Sequence, residues 1–452
     1  MVVNIRELAV EVLLEILEKD KFSHLVIRDV LQKYDYLETR DKAFLKRVTE
    51  GTLERKIQID YVLNSFSKVP VTKMKPFIRT LLRMSVYQIL FMDSVPERAV
   101  CNEAVKLCKK RSFHNLQGFV NGVLRNIARG KEELVYPDMA KDPVEALSVC
   151  YSMPLWLVEK FLKERGLEVT EQMLKAFVSA QPVTLRFSEK LTKEMRDELI
   201  GQWEKSGVVV KEHPYLSYAY KIENAEGIAG LAGFAEGMTT VQDVSSMLVC
   251  EVADIRIGDK VIDVCAAPGG KAIHAAEKLQ GTGLVSARDL TEYKVSLIQD
   301  NIDRMRLTNC DTLVWDARDI RKEDEQTADV VLADLPCSGL GIMGKKKDIR
   351  YHACEQSLEE LVSLQREILS SIYRYVKPGG VLIYSTCTIN PAENEENVAW
   401  FTKQYPFETE SMEAYLPEQL KDEGKSGTLQ LLPGVHETDG FFIARLKRTC
   451  EN

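Results

Sequence analysis

Nothing in this 452-residue chain is long and apolar enough for a membrane span, since no run of 18 apolar residues occurs. The first twenty residues are apolar but carry five acids, Glu7, Glu11, Glu15, Glu18 and Asp20. That excludes a secretory signal and reads as an amphipathic helix. Ten cysteines are scattered without a single Cys-x-x-Cys pair. Neither a zinc site nor a disulfide framework is indicated, and a reducing cytoplasm fits. Internal repeats and low-complexity tracts are missing. So is net positive charge: the balance is −8, which makes the whole-molecule field repulsive to nucleic acid. The deficit is uneven. Residues 1–140 hold 24 Lys+Arg against 18 Asp+Glu, and the remainder 36 against 50. A nucleic-acid partner must therefore meet local basic patches. The hydrophobic content of 45% with 28% charged residues is ordinary for a soluble globular protein, and the length suits about three domains.

What is there is organised around residues 259–289. Val261, Ile262 and Val264 form a short apolar run bounded by charge and turn residues, a buried strand. Cys265, Ala266, Ala267, Pro268, Gly269, Gly270 and Lys271 follow, small and turn-forming, and Ala272–Leu279 has helical spacing. Strand, tight turn and helix open a nucleotide-type βαβ unit, whose helix start offers N–H groups and positive potential to an anion. A P-loop is excluded, because Cys265 stands where its first glycine belongs and Ala272 replaces the magnesium-binding hydroxyl. Nor does this turn form the Gly-x-Gly-x-x-Gly dinucleotide fingerprint. What remains suits a carboxylate or a small zwitterion. The next strand, Gly283–Ala287, leads to Asp289, 18 residues past Lys271 and placed for ribose hydroxyls. A ribose-bearing ligand without a pyrophosphate points to S-adenosylmethionine.

Residues 1–130 read as all-helical, with stripes such as Ile5, Leu8, Val12, Leu13 and Ile16. Pro70 and Pro76 precede a central helix, Phe77–Phe91, apolar nearly all round. Ala99–Arg111 and Leu116–Ala128 follow. Lys131–Pro143 is a linker, and residues 150–235 form a small α/β module with strands at Val183–Phe187 and Val208–Val210. From about Gly237 strands and helices alternate, as in an open parallel sheet. Strands lie at Val261–Val264, Gly283–Ala287, Thr312–Trp315, Val330–Ala333 and Val381–Ser385. A terminal hairpin from Leu429–Leu432 to Gly440–Leu446 adds one antiparallel strand.

In such a sheet the ligand sits at the strand C-terminal ends. Those ends deliver the glycine turn, Asp289, Asp316, Asp334-Leu335-Pro336-Cys337-Ser338-Gly339 and Thr386-Cys387-Thr388. Cysteines flanked by polar turn residues are in the wrong setting for core. A nucleophilic sulfur beside a methyl donor fits one chemistry. Thiolate addition at carbon 6 of a pyrimidine makes carbon 5 nucleophilic toward the sulfonium methyl, and loss of the carbon-5 proton and the sulfur completes the cycle. The residues alone leave open which of Cys337 and Cys387 adds.

The segments CAAPGGK (265–271), ADLPCSG (333–339) and STCTINPAENEENV (385–398), with Asp289 and Asp316, resemble the Sun/RsmB family of RNA cytosine-C5 methyltransferases. The front end resembles the NusB fold through the Gly51-Thr52-Leu53 turn, LLRMSVYQILFMDSVPERAVCNEAVKLCK and GFVNGVLRNI. The resemblance implies a multidomain chain: an all-α NusB-like bundle (1–140), a small α/β linker or RNA-binding module (141–236), and a Rossmann-like class I methyltransferase domain (237–452). It implies Cys387 as nucleophile, Cys337 in product release, and residues 265–271, Asp289, Asp316 and Asp334 around S-adenosylmethionine. Asp334 is also placed on the pyrimidine edge. The implied partner is small-subunit ribosomal RNA, met by a monomer without DNA or membrane. Phosphate contacts are expected from Lys106, Lys109, Lys110, Arg111, Arg125 and Arg129, and from Lys345, Lys346 and Lys347 beside the active site. Arg288 departs from the smaller residue expected before the ribose acid, with its side chain directed away from Asp289. His274 and His352 read as structural. A cysteine hydrolase lacks a strand-end histidine after either cysteine, and a non-catalytic RNA-binding factor has no need of two rim cysteines.

Overall fold

In the computed structural model, which describes residues 3–225 and 227–449, tertiary contacts divide the chain into two compact units. One comprises the residues up to Ser179 together with Met343–His352, the other the remainder.

The first unit is helical. Asn4 caps Ile5–Leu17 by accepting the Glu7 N–H. Pro76 occupies the first turn of Pro76–Phe91, where its missing N–H costs nothing. That helix is the centre of the core, buried from Thr80 through Ile89. Its one deep cation, Arg83, pairs with both Asp60 oxygens at 2.7 and 2.6 Å. Gly51-Thr52-Leu53 is not a turn. It lies inside the helix Thr39–Glu54, and a Cβ on Gly51 would overlap the Tyr87 ring. The glycine answers a close helix–helix approach, a requirement that in sequence looks the same as a turn. Helices Pro143–Tyr151 and Leu155–Val178 belong to this unit too, the second broken at Gly166 (φ +76).

The segment Met343–His352 is built into the same helices. The Asp348 carboxylate accepts from the Ser23 N–H at 2.7 Å, Arg350 donates to the Ser152 carbonyl at 3.2 Å, and the Tyr351 hydroxyl donates to the Leu53 carbonyl at 2.8 Å. Lys347 is paired with Glu54. The expected basic loop beside the active site is corrected on this point: Lys347 is spent inside the helical unit, because a run of three lysines does not reveal which acid waits elsewhere in the chain.

The second unit holds two sheets. The smaller, antiparallel throughout, contains β1 (Val183–Phe187), β2 (Val209–Glu212), β3 (Ala219–Glu223) and β4 (Thr239–Val241), in the order β2-β3-β1-β4. Leu185, Phe187 and Tyr220 cover Trp203 of the helix Lys193–Lys205. The larger has β5 (Lys260–Asp263), β6 (Leu284–Asp289), β7 (Cys310–Val314), β8 (Ala328–Asp334), β9 (Val376–Thr386), β10 (Phe407–Thr409), β11 (Thr428–Leu431) and β12 (Phe441–Arg448). Its order is β10-β12-β9-β8-β5-β6-β7, with β11 also on β12. Strands β5 to β9 run parallel, and β12 lies antiparallel to β9, as the terminal hairpin foretold. The alternation begins after β4, since β4 pairs into the smaller sheet. Leu382, Ile383 and Tyr384 are all fully buried, the mark of a strand covered on both faces. Chain order reverses between β5 and β8, which opens a crevice at their C-terminal ends.

Gly341 and Gly440 knit three loops at that edge. The Gly341 N–H donates to the Cys387 carbonyl at 3.1 Å, and the Gly440 N–H to the Gly341 carbonyl at 3.0 Å. A Cβ on Gly341 would overlap the Gly440 backbone. Gly341→Ala is therefore expected to lower stability by about 1–3 kcal/mol in urea unfolding. Gly201→Ala, in the helix Lys193–Lys205 with open space around it, is expected to be neutral or to gain about 0.5–1 kcal/mol.

Candidate active site

Each rim residue sits where a parallel strand stops. After β5, residues 265–271 turn into the helix Gly270–Lys278, with Gly269 at φ +109. The first helical amides have no intrahelical acceptor and face outward from the turn. Asp289 closes β6 and is 4% exposed. One of its oxygens accepts from the Ala267 N–H at 3.0 Å, which ties the turn to the neighbouring strand. The other accepts from the Leu290 N–H at 2.8 Å and lies 2.9 Å from Lys294 Nζ. Asp316 follows β7, is more open, and is gripped by Arg318, whose hydrogen bonds hold its carboxyl below the usual range. Arg288 turns to the opposite face, to Asp324 at 2.6 Å and over the Tyr375 ring, as expected.

Asp334 ends β8. Its carboxylate accepts from Lys271 Nζ at 2.6 Å and from Ser385 Oγ at 3.1 Å. One charge pair thus links the turn after β5 to the strands that carry the cysteines. The Lys271 ammonium also lies 5.3 Å from the centre of the Phe441 ring. Asp334, Asp263 and the Cys387 sulfur outweigh burial and hold the Lys271 pKa above its ordinary value.

The two cysteines meet. Cys337 Sγ and Cys387 Sγ are 3.2 Å apart, on the loops that follow the paired strands β8 and β9. The hydrogen bond to Cys387, then burial, push the Cys337 thiol well up. Cys337 accordingly keeps its proton at neutral pH. Cys265 is also raised, chiefly by burial and then by Asp289. It is a small apolar contact under the turn.

Sequence reasoning overlooked Asp263, the last residue of β5. It is 1% exposed, and neither carboxylate oxygen meets a donor in hydrogen-bond geometry. Burial pushes its pKa up to about 7, with Lys271 opposing and Asp334 adding to the rise. An acid at the end of an otherwise apolar strand was the available signal. Of the basic residues assigned to phosphate in the helical unit, Lys106 pairs with Glu103, Lys110 with Glu7, and Arg111 with Glu7 and Glu11. Lys109, Arg125 and Arg129 are exposed. Surface ion pairs of this kind contribute little, so the first three exchange partners readily.

A doubly covered parallel sheet with this strand order, a glycine turn, strand-end acids and adjacent cysteines defines an S-adenosylmethionine-dependent methyltransferase. Residues 252–447 match the family described as 16S rRNA methyltransferase RsmB/F, and residues 3–129 match the NusB family. The chain is 36% identical over 449 residues to the probable ribosomal RNA small subunit methyltransferase B of Bacillus subtilis (strain 168), covering 98% of this chain and 99% of that one. It is 31% identical over 446 residues to ribosomal RNA small subunit methyltransferase B of Escherichia coli O17:K52:H18, covering 98% of each. The crystal structure of PH0851 superposes with a TM-score of 0.79 at 28% identity, over 99% of this chain and all of that one. A methyltransferase homologue from Pyrococcus horikoshii shares the fold, with a TM-score of 0.57 at 24% identity, over 68% of this chain and 99% of that one. The chain belongs to the RsmB/F methyltransferase family.

Because the folded state holds the Asp263 proton more tightly than the unfolded chain, its contribution to stability is complete below the unfolded carboxylate pKa of about 3.9. It is lost as pH rises toward the folded value of about 7. Asp263→Asn cannot ionise. It is expected to gain on wild type between about pH 4 and 7 and to hold a constant difference above that, read from urea midpoints. A difference that stays flat across the whole range would mean that Asp263 ionises as freely folded as unfolded.

Proposed function

We propose that the protein methylates carbon 5 of a cytosine in small-subunit ribosomal RNA through a covalent bond between Cys387 and carbon 6 of the base. The observation that carries this reading is the 3.2 Å pair of sulfurs at the ends of adjacent parallel strands. Lys271 and Asp334 join that pair to the glycine turn.

The residues present fit the cofactor. In residues 265–271 the Ala266, Ala267 and Gly269 amides are already bonded within the fold, so the Gly270 and Lys271 amides at the helix start would meet its carboxylate, and Asp289 would offer oxygens to ribose hydroxyls. Asp316 stands at the next strand end, and Asp334, held by Lys271 and Ser385, would face both cofactor and base. The buried Asp263 carboxylate, at the end of β5 directly before that turn, makes no well-aligned hydrogen bond. When bound, S-adenosylmethionine supplies the methyl group that carbon 5 receives.

Chemistry on the chain's side falls to the sulfurs. Cys337, kept protonated, donates its S–H toward Cys387 and leaves Cys387 as the sulfur that adds to carbon 6. Addition gives carbon 5 the electron density that an aromatic pyrimidine denies it. After methylation the carbon-5 proton passes to water, the electron pair of that bond restores the 5,6 double bond, and the carbon–sulfur bond breaks with its pair leaving on Cys387 as thiolate, a release that Cys337 assists by donating its S–H. Asp334 accepts from the exocyclic amino edge of the base, which favours cytosine over uracil.

The relatives named for small-subunit ribosomal RNA support the substrate. Residues 1–140 bind RNA through exposed Lys109, Arg125 and Arg129, residues 141–236 act as linker and auxiliary RNA contact, and 237–452 hold cofactor and base. The protein acts as a cytoplasmic monomer without DNA or membrane.

Methyl transfer to unmodified small-subunit ribosomal RNA tests the chemistry. Cys387→Ala is expected to fall to background. Cys337→Ala is expected to accumulate an RNA–protein adduct stable to denaturing electrophoresis. An adduct from Cys387→Ala and none from Cys337→Ala reverses the two roles.

A further inference from the structure

Behind the two sulfurs lies a buried polar cluster that no step above uses. Its centre is Glu393, fully buried in the turn before the helix Glu395–Gln404. One carboxylate oxygen accepts from the Ser338 N–H at 2.9 Å and from Gln365 Nε2 at 3.0 Å. The other accepts from Ser338 Oγ at 2.5 Å and Asn390 Nδ2 at 3.0 Å. All four donors are neutral. Two belong to the residue directly after Cys337, and one to the residue three past Cys387.

The neighbours of this carboxylate close the same two loops. Gln365 also donates to the Pro336 carbonyl at 2.9 Å. Ser338 Oγ and Thr388 Oγ1 are 2.7 Å apart, each bonded in chain to a cysteine. Asn394 donates to the Thr388 carbonyl at 3.0 Å and accepts from Thr386 Oγ1 at 2.6 Å. The residues on both sides of each cysteine are thereby anchored, whereas the sulfurs themselves touch only each other among these groups. A carboxylate is the one side chain that accepts four such bonds on two oxygens, and burial makes each expensive to lose.

We propose that Glu393 is a positioning residue: it clamps the loop of Cys337 to the loop of Cys387 and sets the distance between the two sulfurs. This rests on the proposed covalent chemistry for its purpose, though not for its geometry. Nothing else in the cluster bonds both loops through one side chain with so many donors. Replacing it leaves the Ser338 amide and Asn390 Nδ2 without acceptors, keeps Gln365 only on the Pro336 carbonyl, and frees both loops to separate.

The test uses the full chain with Glu393→Ala, Glu393→Gln and Ser338→Ala, and two readouts. The first is a ruler that needs neither RNA nor methyl donor. Diamide takes two electrons and two protons from the Cys337 and Cys387 thiols, which gives their disulfide and a hydrazine, and peptide mass mapping follows the rate. The second is kcat and KM on unmodified small-subunit ribosomal RNA, with S-adenosylmethionine affinity as the check on folding. Glu393→Ala is expected to slow the cross-link about tenfold or more and to lower kcat about 100-fold, with KM and cofactor affinity near wild type. Glu393→Gln keeps one acceptor oxygen, and its amide can donate to Asn390 Oδ1, a buried atom that lacks a partner. It is expected to recover kcat to within about tenfold of wild type. If Glu393→Ala loses cofactor binding with its fold, Glu393→Gln and Ser338→Ala decide, each with a slowed cross-link. Wild-type cross-linking rates in the folded variants overturn the proposal. Should Cys387→Ala still methylate while Glu393→Ala slows the cross-link, the covalent chemistry falls and the clamp stands.

Discussion

The parallel pairing of β8 with β9 is the constraint on which the site depends. Its register sets Asp334 opposite Ser385 and Leu332 opposite Ile383, so the two loops leave the sheet side by side. Strand side chains alternate with period two, and a slip of one residue would turn every one of them to the other face. Burial on both faces forbids that slip, because the same residues form the apolar cores above and below. The 3.2 Å approach of the sulfurs is inherited from hydrogen bonds made deep in the sheet.

Charge at the rim is handled in two ways. Asp334 and Lys271 satisfy each other inside the crevice, an arrangement whose desolvation is offset by close geometry and by Ser385. Asp263 is buried without a well-aligned hydrogen bond, and burial above all raises its pKa. A pocket that keeps one unsatisfied carboxylate beside a glycine turn retains polar capacity for a zwitterion. Away from the rim, Arg186 and Glu277 form a fully buried pair, joined by Gln242 and Ser188, that fastens β1 of the smaller sheet to the helix Gly270–Lys278. The helix that presents the turn is therefore anchored from behind.

Much of this was legible in the chain before any coordinates. Val261–Val264 is an apolar run too short for a helix and became β5 within one residue. Asp289, Asp316, Asp334, Cys337 and Cys387 were placed at strand ends by alternation alone, and they lie there. The failures have a common cause. Gly51 looked like a turn because a glycine demanded by a neighbouring helix carries the same letter as one demanded by φ. Lys345–Lys347 looked like one basic patch because charge is local in sequence, while the acid that takes Lys347 is Glu54, nearly 300 residues earlier. The last part of STCTINPAENEENV shows no task in sequence, since a buried acceptor is defined only by its donors.

What the sequence by itself determined was the order of elements and the chemistry at each strand end, because hydrophobic periodicity and turn residues act over a few positions. What only the tertiary structure decided was which of those ends touch. Sulfur meets sulfur, Lys271 meets Asp334, and Glu393 gathers donors from three segments. Those partners lie between 28 and 63 residues apart along the chain in most cases. Short-range propensity carries no information about such pairs; strand register and burial do.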